Sequence, residues 1–179
     1  TFGYLGRNII FQQLSGKAAS TIESRFLNLY KVEAEETYFP TPEQVLATDN
    51  EALRGVGLSM AKALYIKDLA LHYQNGSLSD IKLKEADDKT VYELLIQVKG
   101  IGPWTIDMFL MSYLKRLDVL PLGDLGIKKG MIKHFELTVS DKKKLIDEKD
   151  MIELSKAWRP YRSVASWLMW EIANTITAT

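Results

Sequence analysis

Cysteine is absent from all 179 residues. That excludes disulfides, thiolate metal sites and a cysteine nucleophile, and it favours an intracellular setting. Histidine occurs twice, at His72 and His134, without ligand spacing. Both read as surface or structural residues. An excess of either charge is also missing: 23 Lys+Arg balance 23 Asp+Glu. The basic surplus usual in nucleic-acid binders is therefore not there, and nonspecific affinity for a polyanion should be modest. Charge sorted between faces could still offer a basic patch. No apolar run is long enough to span a bilayer, so no membrane partner is expected. Sustained period-2 alternation, low-complexity tracts and long repeats are missing too.

What is present is helical. Hydrophobic residues make up 46% of the chain, enough for a globular core in one domain or two small lobes. Period 3.6 dominates, which predicts an all-α fold. In "KAASTIESRFLNLY", Ala18, Ile22, Phe26 and Leu29 mark one face. Thr41-Pro42-Glu43-Gln44 is a capping box with proline at the first helical position. Asp49, Ser59 and Asp87 each precede a helical pattern, and Asp150 with Glu153 is expected to cap "MIELSKAW". "PWTIDMFLMSYLKR" is apolar nearly all round and should be buried. The chain opens inside a helical pattern with no initiator methionine, so a trimmed amino terminus is expected.

The stretch "QVKGIGPWTI", residues 97–106, places a Gly-x-Gly corner between two helical patterns. Gly100 and Gly102 permit backbone angles closed to other residues, so the reversal can be short. The amides that open the following helix, Thr105 among them, lack intrahelical partners and point outward with the positive end of the dipole. A phosphate suits that position, and Lys99 could add charge. Carbonyls of the corner, those of Ile96, Val98 and Ile101, could hold a monovalent cation, Na+ or K+; no other cofactor is expected. A weaker echo, "LRGVGLSMA", carries Gly55 and Gly57. Taken alone, such a corner is equally an ordinary helical turn with glycine as a stop.

The fuller pattern resembles the helix-hairpin-helix motif, which binds DNA backbone without reading sequence. Beyond it comes "LPLGDLGIKKG", a Gly/Pro-rich loop and an aspartate opening a helix. With "FQQLSGKAA" near the start and "WRPYRSVASWLMW" near the end, the chain resembles the DNA-3-methyladenine glycosylase II family, within the helix-hairpin-helix Gly/Pro-Asp superfamily. The resemblance covers nearly the whole chain. It implies two helical lobes, residues 1–115 with the hairpin and 116–179 with the catalytic aspartate, and a DNA cleft between them. It implies base excision repair: a monofunctional hydrolase that flips an alkylated purine and cuts its N-glycosidic bond. The implied partner is double-stranded DNA with alkylated bases or abasic sites. The working form is expected to be an intracellular monomer, nuclear in a eukaryote.

The resemblance makes Asp124 the catalytic carboxylate. From its position the same residue is a good helix N-cap, and the two roles are compatible. A carboxylate near unpaired amides should stay ionised and stabilise the positive charge that builds on the sugar. Asp107 and Asp118 are nearby acids off the motif position. Bifunctional relatives carry lysine where this chain has Trp104; an indole forms no Schiff base, so reaction should stop at an abasic site. The resemblance gives Trp104, Met108 and Trp170 to the base pocket, where an electron-rich ring suits a cationic base. Trp158 and Trp167 are left as core. Gln13, with Leu14 second, is the expected plug for the hole left by a flipped base. Lys128, Lys129, Lys133 and Lys99 are expected to share one positive face, away from the acids of "VEAEET" and "KEADDK". Gly123 stands where many relatives have a second acid. That departure supports a rival reading, a catalytically weak or inactive homologue that binds abasic or damaged DNA; a helical scaffold for protein partners is a third.

Overall fold

The computed structural model describes residues 1–31, 38–137 and 145–175. "VEAEET" lies outside them, as do residues 141–144 of the charged run "DKKKLIDEKD". No strand occurs among the described residues, so the all-α expectation holds. The chain forms two compact units, Thr1–Gly102 and Pro103–Thr179. The division falls at the end of the Gly-x-Gly corner, between Gly102 and Pro103. The expected boundary after residue 115 lies within the second unit, because the helix after the corner runs straight on into a π-helical segment and packs with it.

The first unit holds α1 (Phe2–Phe11), α2 (Gly16–Asn28), α3 (Pro42–Ala47), α4 (Asn50–Gly55), α5 (Met60–Gln74), α6 (Asp80–Glu85) and α7 (Asp88–Leu95). Most starts follow from a side chain that accepts an orphan amide. Ser15, Asp49, Ser59, Ser79 and Asp87 all do this, and Thr41 with Gln44 makes the reciprocal capping box read from the sequence. α5 is the hub, packed against α1, α3 and α4. Leu5, Ile9, Phe26, Val45, Leu53, Ile66 and Leu69 are fully buried. Each such side chain contributes about 1.5–3 kcal/mol, so this core outweighs any single polar contact in the unit.

The second unit holds α8 (Pro103–Met108), the π-helical segment Phe109–Tyr113, α9 (Leu125–His134), α10 (Glu148–Leu154), a 3-10 turn at Ser155–Trp158 and α11 (Arg162–Asn174). α11 packs on α9. Gly126 and Gly130, four residues apart on α9, let it come close. A Cβ at Gly130 would sit 2.1 Å from the Met169 carbonyl oxygen, and one at Gly126 would sit 2.7 Å from Trp170 Cδ1. Ile127, Met131, Ile146, Met151 and Met169 form the core there.

Three expectations change. Asp147, not Asp150, caps α10: its carboxylate accepts the Asp150 amide at 2.9 Å, so the helix begins at Glu148. Trp167 is 60% exposed rather than core. Ser163, Ser166 and Met169 occupy the buried stripe of α11, which turns position 167 outward. It lines a groove of about 350 Å³ with Met111, Leu117, Val164 and Leu168. Trp158 does pack against the core, stacked on Phe135. Lys133 does not lie free on a basic face. Its ammonium donates to the carbonyls of Ile172 (3.2 Å) and Thr175 (2.6 Å), at the carboxyl end of α11 where the dipole is negative.

Candidate active site

Asp124 sits at the head of α9. Its backbone amide donates to the Pro121 carbonyl (3.1 Å), which closes the "LPLGD" loop and turns the chain into the helix. The residue is only 8% exposed, yet among the described residues no cation pairs with it. Instead three neutral N–H groups hold it. Oδ1 accepts from the Ile127 amide (2.8 Å) and from Trp170 Nε1 (2.8 Å); Oδ2 accepts from Trp104 Nε1 (2.7 Å). The helix start and two indoles thus fix the carboxylate in place. A carboxylate has about four acceptor positions, so one remains open, on Oδ2.

The indoles differ in exposure. Trp170 is partly buried against Gly126, whose lack of a side chain makes room for it. Trp104, on the first turn of α8, is 47% exposed although its N–H is bound. A large ring pinned by its polar edge and left open on its surface is poised for stacking. Thr105, Ile106 and Met108 behind it are buried.

Asp107 lies three residues after Trp104, one helical turn on along the same face. It is half-buried, and among the described residues nothing hydrogen-bonds to it. Burial first, then the charge of Asp124, pushes its carboxyl up to about 7. Asp118 is different. Arg162 grips it with two bonds (2.6 and 3.0 Å), Arg159 adds a third contact at 3.6 Å, and its carboxyl is held below the usual range. It is a structural ion pair.

In the first unit the corner is built as a tight stop. Gly100 has φ +82, and a Cβ there would meet Tyr65 Cδ2 at 2.2 Å, so both angle and space demand glycine. Gly102 was expected to need unusual angles as well. It does not adopt a left-handed φ, and a Cβ there would meet nothing within 4 Å. The protein itself does not require glycine at 102. Lys99 is exposed, with Asp68 taking its backbone amide (2.9 Å) and standing 3.4 Å from its ammonium.

The α1–α2 loop is fastened to this corner. Gln12 Nε2 donates to the Gly100 carbonyl (2.8 Å). Lys62, from α5, donates to the carbonyls of Ile10 (2.7 Å) and Gln12 (2.6 Å) at the end of α1. Desolvation lowers the pKa of Lys62. Gln13 follows with φ +56, in the left-handed region, and it and Leu14 stand exposed.

Residues 7–160 match the HhH-GPD superfamily of base excision DNA repair proteins. The chain belongs to that superfamily. Among HhH-GPD relatives, the DNA-3-methyladenine glycosylase of Saccharomyces cerevisiae is 32% identical over 97% of this chain and 67% of its own length. A Bacillus subtilis relative is 34% identical over 90% of this chain, but the chain spans only 55% of its length. A Bacillus halodurans DNA-3-methyladenine glycosidase structure superposes with a TM-score of 0.82 and 38% identity, covering 97% of this chain and 76% of that one. A Schizosaccharomyces pombe 3-methyladenine DNA glycosylase in complex with abasic DNA gives a TM-score of 0.77 and 31% identity, covering 95% and 79%.

The HhH-GPD frame brings Asp124, Trp104 and Trp170 into one hydrogen-bonded group. Met108 follows on α8 but is only 8% exposed, and Lys128 lies one turn into α9. Sequence reasoning missed Lys62, Gln12, Tyr65 and Gly126, and it gave Asp107 little weight. Only Gly126, inside the quoted "LGIKKG", carried a signal: a glycine on a helix face marks a close neighbour. Among the described residues no cluster of His, Cys, Asp or Glu could hold a metal, and no helix is long and apolar enough to cross a membrane.

Proposed function

We propose that this HhH-GPD chain is a monofunctional DNA glycosylase that hydrolyses the N-glycosidic bond of alkylated purines such as 3-methyladenine in duplex DNA. The observation that carries it is the Asp124 carboxylate, buried with no paired cation among the described residues and shared by two indoles, one of them open on its face. As the C1′–N bond breaks, its electron pair leaves with the base and positive charge builds on the sugar. A fixed buried anion stabilises that state more than the ground state. The open ring of Trp104 suits stacking and cation–π attraction to a positively charged purine, with Trp170 and Met108 as the rest of the pocket. Water then bonds to C1′. Trp104 offers no amine, so the product is an abasic site and a free base.

DNA holding follows the same logic. The amides that open α8, at Trp104 and Thr105, lack helical partners and suit a phosphate. Glycine at 102 serves a partner's approach rather than any need of the protein. In the first unit Lys99 and Gly100, and in the second unit Lys128, are each assigned to DNA holding. Gln13, held out in the left-handed region, is the plug for the flipped-out base's place, with Leu14 beside it. The corner carbonyls of Ile96, Val98 and Ile101 suit Na+ or K+; Val98 already accepts the Ile101 amide (3.1 Å) and keeps a second lone pair. Abasic-duplex affinity that does not differ between K+ and a bulky organic cation at equal ionic strength would refute that ion. One chain working alone on a lesion, in the nucleus of a eukaryote, completes the reading.

The test is release of 3-methyladenine from methylated duplex DNA, with Asp124→Asn alongside and abasic-duplex binding in parallel. Release that disappears in the variant supports the glycosylase. Firm abasic binding by both proteins with no release by either would make the chain a damage binder.

A further inference from the structure

Asp124 has little hydrogen-bonding capacity left. Three of its four acceptor positions are filled by N–H groups at 2.7–2.8 Å. It can stabilise charge from where it stands, but it has one open position for a water and no freedom to swing toward one. Asp107 is the converse. It shares a face of α8 with Trp104, lies close enough to feel the Asp124 charge, and has no hydrogen bond among the described residues, so both of its oxygens are free.

Resting on the glycosylase reading, we propose that the two carboxyls divide the work: Asp124 is the fixed anion beside the sugar, and Asp107 is the general base that takes the proton of the attacking water. The base departs with the C1′–N electron pair and, if it entered as a cation, leaves neutral without needing a proton. The water oxygen bonds to C1′, and its proton passes to the Asp107 carboxylate and then to solvent. Two carboxyls in one site, one saturated with donors and one without them, form the arrangement that separates an electrostatic role from a proton-transfer role. A value near 7 is where a general base works best at neutral pH.

The electrostatic surroundings are simple. Asp124, from the head of α9, is the charge that acts on Asp107. α8 carries no other ionisable side chain. Among the described residues, Lys128, Lys129 and Lys133 of α9 and Arg162 and Glu171 of α11 form no ion pair or hydrogen bond with it. Lys133 is bound to carbonyls and Arg162 to Asp118.

The experiment is single-turnover release of 3-methyladenine from methylated duplex DNA between pH 5.5 and 8.5, for the unaltered protein, Asp107→Asn and Asp107→Glu. Abasic-duplex binding is measured across the same range. The unaltered protein should speed up about tenfold from pH 6 to 8 as Asp107 ionises. Asp107→Asn should be slower by at least about a hundredfold at pH 8, with a flat profile and unchanged abasic binding, as loss of a general base requires. Asp107→Glu should recover part of the pH-dependent rate. Full activity in Asp107→Asn, or a slower rate that keeps the rise with pH, overturns this inference and leaves the glycosylase standing. No release by the unaltered protein overturns both.

Discussion

Asp124→Asn tests the proposed catalytic carboxylate, and it should do more than remove a charge. Asparagine keeps the N-cap, since its side-chain oxygen serves about as well as aspartate's. With that oxygen on the Ile127 and Trp170 side, the new NH2 group faces Trp104 Nε1, now 2.7 Å away as a second donor. The other amide orientation faces two donors and is worse. Trp104 must therefore let go. A hydrogen bond to a charged group is worth about 1.5–3 kcal/mol, but water can replace it on a half-exposed indole, so the stability cost should be about 1 kcal/mol. A domain of this size would lose about 2–4 °C in Tm. The catalytic cost is larger. A carboxylate about 4 Å from a developing positive charge, at an effective dielectric of about 20, contributes about 4 kcal/mol, or roughly a thousandfold in rate. Single-turnover release and urea unfolding measure the two effects. Trp104→Phe completes the cycle, since phenylalanine keeps an aromatic face without the N–H. Each single variant should lose about 1 kcal/mol of stability and the double variant no more than either. Excision by Asp124→Asn within threefold of the unaltered rate would refute the electrostatic role. Fully additive stability losses would refute the shared hydrogen bond.

The folded chain keeps the Asp107 proton up to about pH 7, while the unfolded chain releases it near 3.8. Between those values the folded state binds the extra proton, so this carboxyl makes stability fall as pH rises. Asp107→Asn should remove a loss of about 1–3 kcal/mol between pH 5 and 8, and parallel urea curves for both proteins at the two pH values would contradict it. Gly126→Ala puts a Cβ 2.7 Å from Trp170 Cδ1, so Trp170 must turn away from Asp124. A loss of about 1–3 kcal/mol and an altered near-UV tryptophan signal are expected, and an unchanged spectrum would show that the site absorbs the methyl group. Lys62→Met strips donors from the Ile10 and Gln12 carbonyls; stability should fall by about 1–3 kcal/mol and amide exchange around residues 11–15 should quicken, whereas unchanged exchange would mean the loop holds itself.

The parts of the site legible in the sequence were those with local signatures. Asp124 was readable because an N-cap is decided within four residues, and Gly100 because a tight reversal needs glycine. The Lys62 clasp was not readable: its partners lie 52 and 50 positions away, and nothing near Lys62 announces them. Asp107 reads only as an acid off the motif position in a mostly apolar helix until its lack of a partner and the Asp124 charge are known. "SWLMW" places Trp167 and Trp170 three residues apart. Helical periodicity sets the angle between them but not which one faces inward, so Trp167 was misplaced while Trp170 was not. α6 has a cap as good as those of the equally short α3 and α4, the Ser79 side chain accepting the Lys82 amide, but it lacks the reciprocal glutamine and the proline that mark α3.

The bond from Gln12 to the Gly100 carbonyl gives the proposed plug and the backbone-holding corner a common frame. A loop tip tied in this way cannot advance alone. If, as proposed, the corner holds a duplex, any step it takes from one phosphate to the next would carry Gln13 by one base step at a fixed offset. On the proposed reading the protein would carry its own ruler, marked in nucleotides. Each position on a uniform backbone would then bring one stacked base under the same probe, and a base that stacks poorly would yield without its identity being read.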